Sequence, residues 1–144
     1  MMICKIKFTR KIAVLAIVLA AVILAGIILA CSEPASGDIG TTEGRVAYLS
    51  KLGWEVDPES EEWEGIILPR TFGEVMTEYN EMQLEQGFDL SPYAGLECER
   101  YAYRVTNYPN GDPDVLAQIF VCGTRVIGGD IHSTAMDGFM HGIR

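Results

Sequence analysis

The chain has 144 residues, 49% of them hydrophobic and 22% charged, with a formal net charge of −9. All twenty acidic residues follow Cys31, where only seven basic ones stand against them, so residues 32–144 carry a formal −13. Such a surface repels nucleic acid and anionic lipid head groups and excludes polyanion binding, and about 100 residues make one domain with its own core but not two.

Residues 1–11 carry Lys5, Lys7, Arg10 and Lys11, and an uninterrupted apolar run extends from Ile12 to Ala30. Nineteen residues at about 1.5 Å each span roughly 28 Å, close to the hydrocarbon core of a bilayer, so residues 12–30 read as a transmembrane anchor. The basic flank keeps the N-terminus cytoplasmic and places everything beyond the run outside the cell membrane. Ile28-Leu-Ala-Cys31 is similar to a lipoprotein lipobox, which makes Cys31 a candidate for lipidation. Leu29 is larger than the residue usual there, and the length of the run favours a retained single-pass helix. Residues 31–41, small and polar with Pro34, Gly37 and Gly40, read as a flexible tether.

The domain is expected over 42–144. Val46, Leu49 and Leu52 fall at helical spacing and Gly53 follows where a left-handed cap ends a helix. Trp54–Val56 and Trp63–Leu68 read as short strands. The acids around them, Glu55, Asp57, Glu59, Glu61, Glu62 and Glu64, lack the spacing of a cation loop and read as a solvated face. Thr71-Phe-Gly-Glu74 has the form of a capping box, and it opens a helix whose inward stripe is expected to be Phe72, Val75, Met76, Tyr79 and Met82 or Gln83, closed by Gly87. Pro92 and Gly95 then turn the chain.

The last third reads as a meander. Tyr101, Tyr103 and Val105 alternate with Arg100, Ala102 and Arg104, and Asn107–Asp114 supplies an Asn110-Gly111 turn. Strands follow from Val115 to Val121 and from Arg125 to Ile131. The fold class expected is α+β: two helices packed on a small antiparallel sheet that ends in a three-stranded meander, behind one N-terminal transmembrane helix. Folding about the Asn-Gly turn brings Cys98 and Cys122 within a diagonal step, where an oxidising space allows a disulfide; two buried free thiols are the alternative.

Gly53-Trp-Glu-Val56, Tyr79-Asn80, Gln86-Gly-Phe-Asp-Leu90, Tyr101-Ala-Tyr103, Asn107-Tyr-Pro109, Val126-Ile-Gly-Gly-Asp130 and Asp137-Gly-Phe-Met-His-Gly142 together resemble an uncharacterised bacterial family, domain of unknown function 4830, over about residues 46–143. The resemblance implies a short, single-anchor protein of the kind found in Gram-positive anaerobes, and it implies no activity, cofactor or substrate. It also places a cysteine where this chain has His132.

Residue types for chemistry gather late in the chain. Asp130, His132, Ser133, Asp137 and His141 supply the nucleophile, base and orienting acid of a hydrolase, or nitrogens and oxygens for a metal, without a recognised spacing. Gly128-Gly129 is equally explained as a bulge and Asp137-Gly138 as a turn. No phosphate loop, Cys-x-x-Cys pair, H-E-x-x-H or Gly-x-Ser-x-Gly is present, so no cofactor is indicated. Two functions follow. One is a non-catalytic, membrane-tethered extracytoplasmic module of the bacterial cell envelope whose Trp54, Trp63, Tyr93 and Tyr108 face a protein, peptide or cell-wall ligand. The other is a small hydrolase or metal-dependent enzyme built on the five residues above.

Overall fold

The computed structural model describes residues 37–144. The basic N-terminus, the apolar run 12–30, Cys31 and the first part of the tether lie outside the described residues. No helix among those described is long and apolar enough to cross a membrane.

The first helix, α1 (Thr42–Lys51), begins where Thr41 turns its Oγ1 back to accept from the Gly44 N–H at 3.1 Å. Glu43 in its first turn and Lys51 in its last complement the helix dipole. A short 3-10 turn, Pro58–Ser60, leads into β1 (Glu62–Ile67), followed by α2 (Glu74–Glu85). Gly53 and Gly87, at φ +93° and +83°, take the left-handed conformation just past each helix. A second 3-10 turn, Ser91–Tyr93, precedes β2 (Glu97–Arg104), β3 (Val115–Cys122), β4 (Arg125–Ser133) and β5 (Met140–Gly142). The five strands form one antiparallel sheet in the order β1-β2-β3-β4-β5, a meander throughout.

Alternation along the strands splits the core into two layers. Tyr101, Tyr103 and Val105 from β2 and its end, with Val115, Ala117, Ile119 and Val121 of β3 and Ile131 of β4, face α1 and its Leu49. Cys98, Phe120 and Ile127 face the other way, toward Leu68, Leu90 and the Met76 and Tyr79 side chains of α2. Each fully buried Leu or Ile contributes about 1.5–3 kcal/mol of transfer free energy. At the β3–β4 pairing the register slips between Phe120 and Val121: Val121 faces Val126, but Phe120 faces Gly128. Ile127 is the extra residue of a bulge, which sends it into the α2-side cluster.

Three local expectations change. The capping box does not form: Gly73 is the N-cap of α2 and makes no side-chain cap bond, so Thr71 stands two residues outside the helix. The inward face of α2 is Met76, Tyr79, Asn80 and Gln83, while Val75 is 79% exposed, because the helix meets the sheet through hydrogen bonds as much as through apolar contact. Trp54–Val56 is not a strand; Val56 makes a single bridge to Val105. The strand β5 carried no signal in the sequence, being three residues long.

Candidate functional site

On the α2 side of the sheet a chain of polar side chains crosses four strands. Asp130 of β4 is fully buried. Its Oδ2 accepts from the Tyr79 hydroxyl at 2.5 Å and from Gln118 Nε2 at 3.0 Å, and its Oδ1 takes the His132 Nδ1–H at 2.6 Å. Gln118 Oε1 in turn accepts from Arg100 Nη1 at 2.9 Å, and Arg100 grips the Glu64 carboxylate through Nε at 3.0 Å and Nη2 at 2.7 Å. Burial, then the charge and hydrogen bond of Asp130, push the Tyr79 phenol well above its ordinary range, so it stays a donor. With Nδ1 engaged, the His132 ring presents Nε2 outward from a side chain that is 20% exposed.

An Asp–His pair of this form orients a general base in hydrolases, but it needs a nucleophile within hydrogen-bond reach. Ser133 follows His132 on the strand and so points to the opposite face, where its Oγ accepts from the Ala135 N–H at 3.2 Å. His141 pairs with Ile131 and enters the α1-side layer; its Nε2 bonds the Tyr108 hydroxyl at 3.1 Å, and its ring stacks on Phe139 at 5.7 Å. Asp137 is exposed in the turn before β5. The structure therefore brings Asp130 and His132 together and holds Ser133, Asp137 and His141 apart from them. Among the described residues no three His, Cys, Asp or Glu side chains are grouped to hold a metal.

What the polar chain does is fasten α2. Gln83, fully buried, donates from Nε2 to the Gly129 carbonyl at 3.0 Å and accepts the Gly129 N–H at 2.9 Å, the two-point pairing a neighbouring strand would make. Gln86 accepts from the Ile143 N–H at 2.7 Å and the Arg144 N–H at 3.2 Å. These contacts need bare backbone: a Cβ at Gly142 would lie 2.6 Å from Gln86 Cδ, and one at Gly128 would lie 3.0 Å from Gln83 Oε1.

On the other face, Arg45 of α1 is buried against Tyr103 (2.8 Å from Nε), Glu61 (2.9 Å) and the Ile39 carbonyl (2.9 Å), with its guanidinium 3.7 Å above the Tyr101 ring. Tyr103 also donates to Glu61. Desolvation works to raise Glu61, but bonds from Tyr103, Arg45 and Thr42 outweigh it and hold its carboxyl below the usual range. Thus half of the acidic run is engaged: Glu61 with Arg45, Glu64 with Arg100, and Asp57 as cap of the first 3-10 turn and 3.9 Å from Arg104.

Beyond Arg45 no described residue covers the same face. Trp63, Gly65 and Ile67 of β1 point to it beside Glu97, Glu99 and Val121, lining an open trough of about 530 Å³. Trp63 is 61% and Ile67 67% exposed. Of the four aromatics singled out in the sequence only Trp63 is in open solvent; Tyr93 is half-buried, and Trp54 and Tyr108 stack on each other at 6.0 Å with Trp54 Nε1 donating to the Ile143 carbonyl. Cys98 and Cys122 are free thiols at the same end of the sheet.

Residues 48–131 match the family described as domain of unknown function DUF4830. The chain belongs to this family. No curated protein and no solved structure is similar to it. The DUF4830 match takes in the trough, both thiols and Asp130, and ends just before His132, Ser133, Asp137 and His141. Tyr79, Gln83, Arg100 and Gln118 were not marked as site residues by the sequence; the one signal available was polar residues standing at inward positions of an amphipathic helix and an apolar strand.

Proposed function

We propose that this protein is a non-catalytic, membrane-tethered module of the bacterial cell envelope that binds an extended, basic peptide segment along β1. The observation that carries the reading is the outer edge of the sheet. β1 pairs with β2 in unbroken register from Glu62↔Ala102 to Ile67↔Glu97 and, among the described residues, has no strand on its other side. It contains no proline, bulge or lysine, the devices by which edge strands refuse partners. An added strand gains main-chain hydrogen bonds from this edge, and its side chains reach the trough between Trp63 and Ile67. Charge selects the partner: the Glu62 and Glu97 carboxylates have no partner among the described residues, the Glu99 carboxylate accepts only from the Tyr101 hydroxyl at 2.7 Å, and the exported part carries a formal −13 from seven basic and twenty acidic residues. The apolar run 12–30 behind a basic N-terminus supports the location. The hydrolase reading lacks a nucleophile beside His132.

The test uses the full-length protein in detergent and two synthetic peptides, one alternating lysine and valine, the other glutamate and valine. The lysine peptide is expected to slow hydrogen exchange of the β1 amides and shift tryptophan emission, and Trp63→Ser with Ile67→Ser to abolish both effects. Absence of β1 protection, or equal protection by the glutamate peptide, overturns the reading.

A further inference from the structure

We propose that Cys98 and Cys122 are a dithiol–disulfide pair that covalently locks the β2–β3 end of the sheet. Register carries the case. Glu99 pairs with Val121 in the antiparallel β2–β3 ladder, so one step further Cys98 stands directly opposite Cys122, closer than the diagonal placement the turn alone suggested. Directly opposed residues on antiparallel strands lie about 4.5–5.5 Å apart at Cα, inside the roughly 4.4–6.8 Å range of disulfides. Both side chains belong to the α2-side apolar layer, with Sγ atoms turned to the Leu96 carbonyl at 3.9 Å (Cys98) and the Glu97 carbonyl at 3.7 Å (Cys122). The two differ in access: Cys98 is buried and Cys122 is partly exposed. Burial, and then the hydrogen bond and charge of the neighbouring Cys122, push the Cys98 thiol up to about 12.

That asymmetry sets the order of events. The oxidant is a disulfide, R–S–S–R, of the thiol–disulfide exchange class. The Cys122 thiolate attacks one sulfur, forming a mixed disulfide and releasing one RS⁻. This thiolate takes the Cys98 proton, and the Cys98 sulfur then attacks Cys122 Sγ and expels the second RS⁻. Two thiols lose two electrons and two protons, and R–S–S–R becomes two RSH. Cys98 is also the ladder partner of Ile66, so the bond lies beside the strand that carries Trp63 and Ile67 and forms independently of what the trough binds.

Full-length protein equilibrated with oxidised glutathione, alkylated and cut with trypsin decides the matter, because Cys98 falls in peptide 71–100 and Cys122 in peptide 105–125. The expected product is the linked pair of these peptides, lost on reduction and accompanied by a higher urea midpoint. In Cys98→Ser, Cys122 is expected to carry glutathione; in Cys122→Ser, Cys98 is expected to stay an unmodified thiol. Separate alkylated peptides, or glutathione on both cysteines without a link, overturn the pair. Cys98 taking glutathione in Cys122→Ser overturns the order of attack.

Discussion

Asp130 is the point at which α2, β3 and β4 are joined, and its removal has a calculable cost. In Asp130→Ala the Tyr79 hydroxyl and the Gln118 amide, both inside the sheet–helix layer, lose their acceptor, and His132 loses its orienting partner. A buried donor left without a partner costs about 1–3 kcal/mol, so two such donors amount to roughly 3–5 kcal/mol, a large part of the 5–15 kcal/mol by which a domain of this size is stable. Asp130→Asn is different. One oxygen still serves Tyr79 and Gln118, and the new amide faces His132, whose ring accepts at Nδ1 once its proton sits on Nε2; the loss is that of charge assistance, about 1–2 kcal/mol. The assay is urea unfolding of the full chain followed by tryptophan emission, since Trp54 and Trp63 are the only tryptophans and both report the domain. At a slope of about 1.5 kcal/mol per molar urea, the alanine variant should unfold some 2–3 M earlier than the parent and the asparagine variant within about 1 M. An alanine variant within 0.5 M of the parent, or an asparagine variant as weak as alanine, would refute the role assigned to this carboxylate.

Replacing Gln83 with Leu leaves the Gly129 N–H without an acceptor and its carbonyl with only Gln86 Nε2 at 3.2 Å, and should cost about 1–3 kcal/mol in the same assay, whereas Val75→Lys, at a position 79% exposed, should stay within about 0.5 kcal/mol of the parent. Burial chiefly, with acidic neighbours, raises the Tyr79, Tyr101 and Tyr103 phenols. A raised folded value means the stability is complete below the ordinary tyrosine value of about 10 and is lost as pH climbs beyond it, so the thermal midpoint should fall steeply above pH 10 and less steeply in Tyr79→Phe. Glu61 has the opposite sign: its lowered carboxyl stabilises fully above the usual glutamate value of about 4.3 and the gain is lost as pH falls below that, so Glu61→Gln should flatten the acid limb of the same titration.

Much of the architecture was written locally. The Thr41–Gly53 helix, the β1 segment, and the strands on either side of Gly123 are short-range patterns of periodicity and turn chemistry, and the structure has them within a residue or two. What escaped was part of the inward side of α2. Hydrophobic periodicity placed Phe72, Val75, Met76, Tyr79 and Met82 or Gln83 inward, but the sheet and the following loop offer this helix backbone groups and a carboxylate, so Asn80 and Gln83 join Met76 and Tyr79 there while Val75 faces solvent. The partners of Tyr79 and Gln83 lie 51 and 46 residues away, beyond any local window. The Asp130–His132 contact was readable from their i, i+2 spacing on a strand. That Ser133 and His141 face the other way follows from pleat and register together, and register is a property of pairing rather than of one segment.

The two ends of the sheet are unlike, and that limits how the protein can multiply. At the far end β5 is three residues long, and just beyond it Gln83 and Gln86 hold the Gly129, Ile143 and Arg144 backbone groups. Only β1 is open. Edge-to-edge association therefore saturates after a single event: raising the concentration increases the fraction of joined molecules and never the length of what they form. A small, negatively charged domain can in this way keep an adhesive edge without seeding fibres.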